Sequence, residues 1–207
     1  MRAKGRLALA MVAATAFLSL AISSASARRI EISEPRFRIV WAAFTVAGNG
    51  VEEVRCPVTL EGSLHSRTIS KLSGDLIGYV THAAIASGSC TGGTAAFLTE
   101  SLPWHIQYLG FSGTLPNITT LRWIVVGLRY QLVVGGFTCL TGSTQSSPAG
   151  INMSIASGVM RTATDDETLT IPLEGVCSFV GSDRLKGTAE VFALGSTTTR
   201  ITVRLVQ

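Results

Sequence analysis

Beyond residue 28 the chain alternates apolar and polar residues with a period of two. Val58, Leu60 and Leu64 are interleaved with Thr59, Glu61 and His65, and Trp104, Ile106 and Tyr108 with His105 and Gln107. Near the end, Ile201, Val203 and Leu205 alternate with Thr202 and Arg204. Successive side chains of a strand point to opposite faces, so each run predicts a strand with one face for a core and one for water. Arg36 to Trp41 opens the series, and Leu121 to Val134 reads as one long apolar strand, interrupted at Gly127. Turn-forming residues separate the runs at Asn49-Gly50, at Leu115-Pro116-Asn117 and at Ser146 to Gly150, and Thr164 to Glu167 forms a charged loop tip. The expectation is an all-β antiparallel protein of about ten strands, arranged as a sandwich, with a barrel as the alternative.

One stretch reads two ways. Ile69, Leu72, Leu76, Val80 and Ala83 fall near helical spacing, yet Leu76, Val80 and Ala84 also mark one face of a strand with Tyr79 on the other. Gly74 and Gly78 each weaken a helix by roughly 1 kcal/mol, which favours the strand.

The first 27 residues depart from the pattern. Arg2, Lys4 and Arg6 precede an apolar run from Leu7 to Ile22, and Ser24-Ala25-Ser26-Ala27 supplies small residues where a signal peptidase cuts. This predicts a secretory signal peptide over residues 1–27 and a single exported domain over 28–207. Thr141 to Gly150 is the best candidate for a boundary between two half-domains, if there is one. Removing the signal lowers the formal net charge from +4 to +1, so the exported form has no basic run for nucleic acid.

Export also fixes what the four cysteines do. Cys56, Cys90, Cys139 and Cys177 enter a compartment where disulfides persist, and an even count predicts two bridges. Three connectivities are open; sequential pairing, Cys56–Cys90 and Cys139–Cys177, is favoured because each pair lies in a region of similar texture. Zinc would want close spacing such as C-x2-C, which the chain lacks, so no metal or cofactor is expected.

Catalytic signals are thin. There is no G-x-S-x-G, and the histidines His65, His82 and His105 with Asp75, Asp165, Asp166 and Asp183 are parts that any exported β protein carries. Glu52-Glu53 and Asp165-Asp166 are adjacent, so on strands they face opposite ways and make poor catalytic pairs. Trp104, His105 and Trp123 are candidates for a ligand groove, against the commoner use of strand aromatics as core. Asn117-Ile118-Thr119 and Asn152-Met153-Ser154 match the N-glycosylation sequon.

Leu102-Pro103-Trp104-His105-Ile106-Gln107-Tyr108, followed by Gly113-Thr114-Leu115-Pro116-Asn117-Ile118-Thr119, resembles a group of small secreted proteins of high-GC actinobacteria. Leu76 to Thr81 and Phe137 to Leu140 fit the same pattern, and the resemblance runs from about Cys56 to the C-terminus. It implies export and a bacterial source, in which the sequons go unused. It carries no activity, catalytic residue or ligand. The expected function is therefore an extracellular or cell-envelope binding or structural β scaffold. The alternatives are an envelope β-barrel or pore subunit and a hydrolase with a loop-built site.

Overall fold

A computed structural model describes residues 29–48, 53–86, 88–114, 117–165, 169, 171–174 and 182–206. Residues 1–27, Asn49-Gly50, Asp166-Glu167 and Cys177 lie outside the described residues. In chain order the strands are β1 (Arg29–Ile32), β2 (Arg36–Gly48), β3 (Val54–Leu64), β4 (Thr68–Ile69), β5 (Leu76–Ile85), β6 (Thr94–Phe97), β7 (Trp104–Thr114) and β8 (Asn117–Val126). They continue with β9 (Arg129–Val134), β10 (Phe137–Gly142), β11 (Ala149–Ala156), β12 (Val159–Asp165), β13 (Ile171–Glu174), β14 (Ser182–Lys186), β15 (Thr188–Ala193) and β16 (Val203–Val206). Among the described residues the helical element is a single 3-10 turn, Thr99–Ser101.

The all-β antiparallel expectation holds, but the sheet closes into a barrel and not a sandwich. Strands β2, β3, β5, β7, β8, β11, β12 and β15 each pair with the next, and β15 returns to β2 through Ala189↔Trp41, Val191↔Ile39 and Ala193↔Phe37. Closure removes the free edges that a two-sheet sandwich leaves.

Two strands belong to more than the barrel. A bulge between Trp41 and Phe44 bends β2, so its first half pairs with β15 and its second half, Thr45 to Gly48, pairs with β14. From β14 a second sheet runs through β13, β10, β9 and β6. It curls back to β3 at an antiparallel bridge between Arg55 and Thr91, whose amides bond each other's carbonyls at 3.0 and 2.9 Å. A small third sheet, β16-β1-β4, closes the other end of the barrel and buries Ile30, Ile32, Ile69 and Val203.

Several sequence expectations change in detail. Sixteen strands are described, because short strands such as β4 and β6 carry too few residues to show a period. Leu121 to Val134 is two strands: Gly127 takes a φ of +90°, a left-handed conformation that turns β8 out of the barrel and starts β9 in the second sheet. The ambiguous stretch is strand, with β4 and β5 joined by a turn at Gly74, where φ is +89°. A register shift between Leu76 and Gly78 leaves Leu76 exposed and not on the buried face with Val80, and Ala83, not Ala84, is buried. Thr141 to Gly150 does not separate two half-domains, since the second sheet takes strands from both sides of it and the buried residues form one cluster.

The disulfide expectation is met for one pair. Cys56 and Cys90 are bonded, one residue either side of the Arg55–Thr91 bridge. Cys139 is also disulfide-bonded, and its expected partner, Cys177, lies outside the described residues.

The barrel interior is filled. Phe37, Ile39, Leu60, Val80, Ile106, Tyr108, Leu121, Met153 and Val191 point inward, each almost wholly buried. An eight-stranded barrel is just wide enough for side chains or one small ligand, and here side chains take the space. Where the barrel meets the second sheet a void of about 30 Å³ remains, lined by Trp41, Phe44, Leu60, Phe97, Leu128 and Leu185. Its walls are apolar, and its size suits about one or two water molecules.

Candidate functional site

The groove expected from Trp104, His105 and Trp123 does not form as a unit. Alternation along β7 sends Trp104 inward and His105 outward, and Trp123 on β8 also points inward. Trp104 is 0% exposed and Trp123 2% exposed. Trp104 donates its indole N–H to Ser101 Oγ at 2.8 Å and packs its ring on Phe97, 5.3 Å between centroids. Both tryptophans are core residues, so surface chemistry falls to the outward-facing positions.

Those positions converge on the outer face of β3, β5 and β7. Register places Tyr79 opposite His105 and Leu76 opposite Gln107, all four pointing away from the core. His65 follows β3 and is tied by its amide to Ile77 O at 2.8 Å. The Tyr79 ring sits between two imidazoles, 5.0 Å from His65 and 5.4 Å from His105, with tilts of 54° and 53°. Tyr79 is half-buried, the two histidines are exposed, and Leu76 is 40% exposed. Gln107 and Gln145 exchange amide hydrogen bonds of 2.9 and 3.1 Å, which pins the β10–β11 loop beside the rings.

The patch continues along β3 and β5. His82 lies opposite Glu61, and Glu61 lies opposite Arg38, whose Nε is 3.5 Å from its carboxylate. All three histidines of the chain thus lie on one side of the barrel. Among the described residues no three His, Cys, Asp or Glu side chains are placed to hold a metal ion. Asp75, a carboxylate considered as an orienting group for a histidine, accepts a hydrogen bond from Ser70 Oγ instead. The surface offers aromatic edges, amides and the exposed Leu76, which suits ring contacts and hydrogen-bonded recognition.

Sequence reasoning named His105 and singled out His65 and His82 but passed over Tyr79 and Gln107 as recognition residues. Gln107 belongs to the polar phase of β7's alternation, and that signal was available; β5 has no such phase around Tyr79, since Ile77 and Ala83 share its parity and are buried. What the sequence does not carry is the pairing that makes them neighbours.

The sequons are unequal. Asn117 is exposed at the start of β8, whereas Asn152 is half-buried with its amide bonded to Asp165 O at 3.3 Å.

No protein-family model, curated protein or solved structure matches this chain.

Proposed function

We propose that the protein is an exported or envelope-associated β scaffold that binds cell-surface material on the face built around Tyr79. The observation that carries this reading is the division of polarity: a closed barrel filled with apolar side chains, and an outer wall of Arg38, Glu61, His82, Gln107, Arg122 and Glu190. With its interior occupied, the molecule has its outer wall for recognition. The bonded Cys56–Cys90 pair suits an oxidising compartment, in keeping with the export expectation for residues 1–27 and the resemblance to secreted actinobacterial proteins.

The same polarity favours a scaffold over a pore, because membrane barrels turn apolar side chains outward and line the lumen with polar ones. A scaffold is also favoured over a hydrolase, since the His65 and His105 rings pack at a tilt against Tyr79.

The test is retention on insoluble peptidoglycan and on a glycan array, with wild type against Tyr79→Ala and the His65→Ala/His105→Ala pair. Retention should fall at least tenfold in both variants while their melting curves stay within a few degrees of wild type. Unchanged retention would remove the Tyr79 face from the reading. Turnover of an ester, glycoside or peptide substrate, abolished by one of the histidine changes, would replace the scaffold with a hydrolase.

A further inference from the structure

A second recognition feature lies at the capped end of the barrel, on the β16 edge of the third sheet. Strand β16 pairs with β1 through Val203↔Ile32, Arg204↔Glu31, Leu205↔Ile30 and Val206↔Arg29. On its other side the chain bridges Val159 at Thr202, and among the described residues Leu205 has no strand partner there. Backbone groups of adjacent strand residues point in opposite directions, so the bonding side alternates along each strand. Ile32 gives its N–H to Arg67 O on the β4 side, at 2.8 Å. Glu31 and Arg29 therefore face β16 and bond to Arg204 and Val206. Val203 and Leu205 turn their N–H and C=O away from β1. In agreement, the Val203 N–H reaches Gly158 O at 2.7 Å. The Leu205 pair faces a groove.

This groove has a volume of about 290 Å³ and is lined by Asn117, Ile118, Thr119, Ile155, Arg204 and Leu205 among others. Its far wall is the first three residues of β8, which β11 leaves uncovered because their pairing begins at Thr120↔Ser154. Ile118, Ile155 and Leu205 make an apolar floor, and Asn117, Thr119 and Arg204 form an exposed rim. Arg204 is the charged side chain in the lining. Its Nε pairs with Glu31 at 2.9 Å, and the side chain is 72% exposed, which leaves its terminal nitrogens free to take a second carboxylate.

We propose that this groove is a strand-addition site for an extended acidic segment of a partner protein. The segment's backbone bonds the Leu205 N–H and C=O and extends the β4-β1-β16 sheet by one strand. Its apolar residues alternate onto Ile118, Ile155 and Leu205, and an acidic residue meets Arg204. Backbone pairing supplies affinity and the alternating side chains supply selectivity.

The probe is a fluorescein-labelled Glu-Val-Glu-Val-Glu-Val hexapeptide, read by anisotropy against the full chain. Two N-methylated versions accompany it, one blocked at the glutamate amides and one at the valine amides, together with a Lys-Val hexapeptide. One edge of the added strand faces β16, so one methylated version should bind at least tenfold more weakly than the other. Charge attraction alone would treat the two alike. Arg204→Glu should weaken binding at least tenfold with unchanged circular dichroism, Arg204→Lys should lose less, and Tyr79→Ala should bind as wild type. The proposal is overturned by equal binding of the methylated versions, by Arg204→Glu binding like wild type, or by no binding up to about 1 mM. A dimer in sedimentation that Arg204→Glu dissociates would overturn it in favour of a second copy in the groove.

Discussion

At the scale of single residues, the three tryptophans show how burial and hydrogen bonding separate. Trp41, Trp104 and Trp123 are all buried in the same core, and Trp104 donates its indole N–H to Ser101 Oγ. The Nε1 atoms of Trp41 and Trp123 are buried without a hydrogen-bond partner. Replacement by phenylalanine removes similar ring area at Trp104 and Trp123. At Trp104 it also removes the hydrogen bond that Ser101 Oγ accepts, leaving the one its O–H donates to Leu98 O at 2.7 Å, and at Trp123 it removes an unsatisfied donor. Trp104→Phe should therefore cost about 1 kcal/mol more than Trp123→Phe in urea titrations. Equal costs would mean that the Ser101 bond contributes nothing net. Gly62 gives a second case, one of close approach: a Cβ there would lie 2.2 Å from Tyr79 O and 2.7 Å from the Phe37 ring. Gly62→Ala should destabilise by about 1–3 kcal/mol as β3 and β5 are pushed apart. A neutral result would show that the β3–β5 pairing gives way freely.

At the scale of elements, the contact between β6 and β3 depends on very few bonds. Ladder pairing of β3 with β5 begins only at Val58, so the N-terminal end of β3 meets the second sheet through the Arg55–Thr91 bridge and the Cys56–Cys90 cross-link. The cysteines are 34 residues apart, and in the chain-entropy account closing such a loop stabilises by about 4 kcal/mol. The Cys56→Ser/Cys90→Ser pair should lose close to that amount, with the loss concentrated in hydrogen-exchange protection of β6 and the start of β3. Uniform loss across all strands would mean that the cross-link does not act as a local clasp. A charge cluster sits at the same place. The Arg55 guanidinium bonds the Glu53 carboxylate at 2.9 Å, Lys186 of β14 lies 3.6 Å from it, and together they hold the Glu53 carboxyl below its ordinary 4.5. Because the folded value is depressed, this contribution is fully present above pH 4.5 and is lost as pH falls through the folded value. Glu53→Gln should lower stability at neutral pH and flatten the acid limb of the stability curve. An unchanged acid limb would remove Glu53 from the pH response.

At the scale of the whole molecule, what was legible in the sequence was the sorting of side chains between inside and outside. Val58, Leu60, Trp104, Ile106, Tyr108 and Val203 all sit on the face that their alternation assigns. Closure was not legible. It depends on Trp41 meeting Ala189, a pairing between distant parts of the chain that leaves no local pattern, and on a bulge that lets β2 serve two sheets. The Tyr79 face was hidden for the same reason, since Tyr79 and His105 become neighbours only through the β5–β7 register. Shared strands also have a thermodynamic consequence. The barrel and the second sheet both require β2 and β3, and their buried residues form one cluster, so neither can unfold while the other keeps a complete edge. Hydrogen exchange at Ile106 and Leu121 should report the barrel, and hydrogen exchange at Leu132 and Cys139 the second sheet. In urea both should change at one midpoint, as an all-or-none transition requires. Two separated midpoints would mean that the second sheet is an independent unit joined to the barrel, and β2 would then have to come apart at its Trp41–Phe44 bulge.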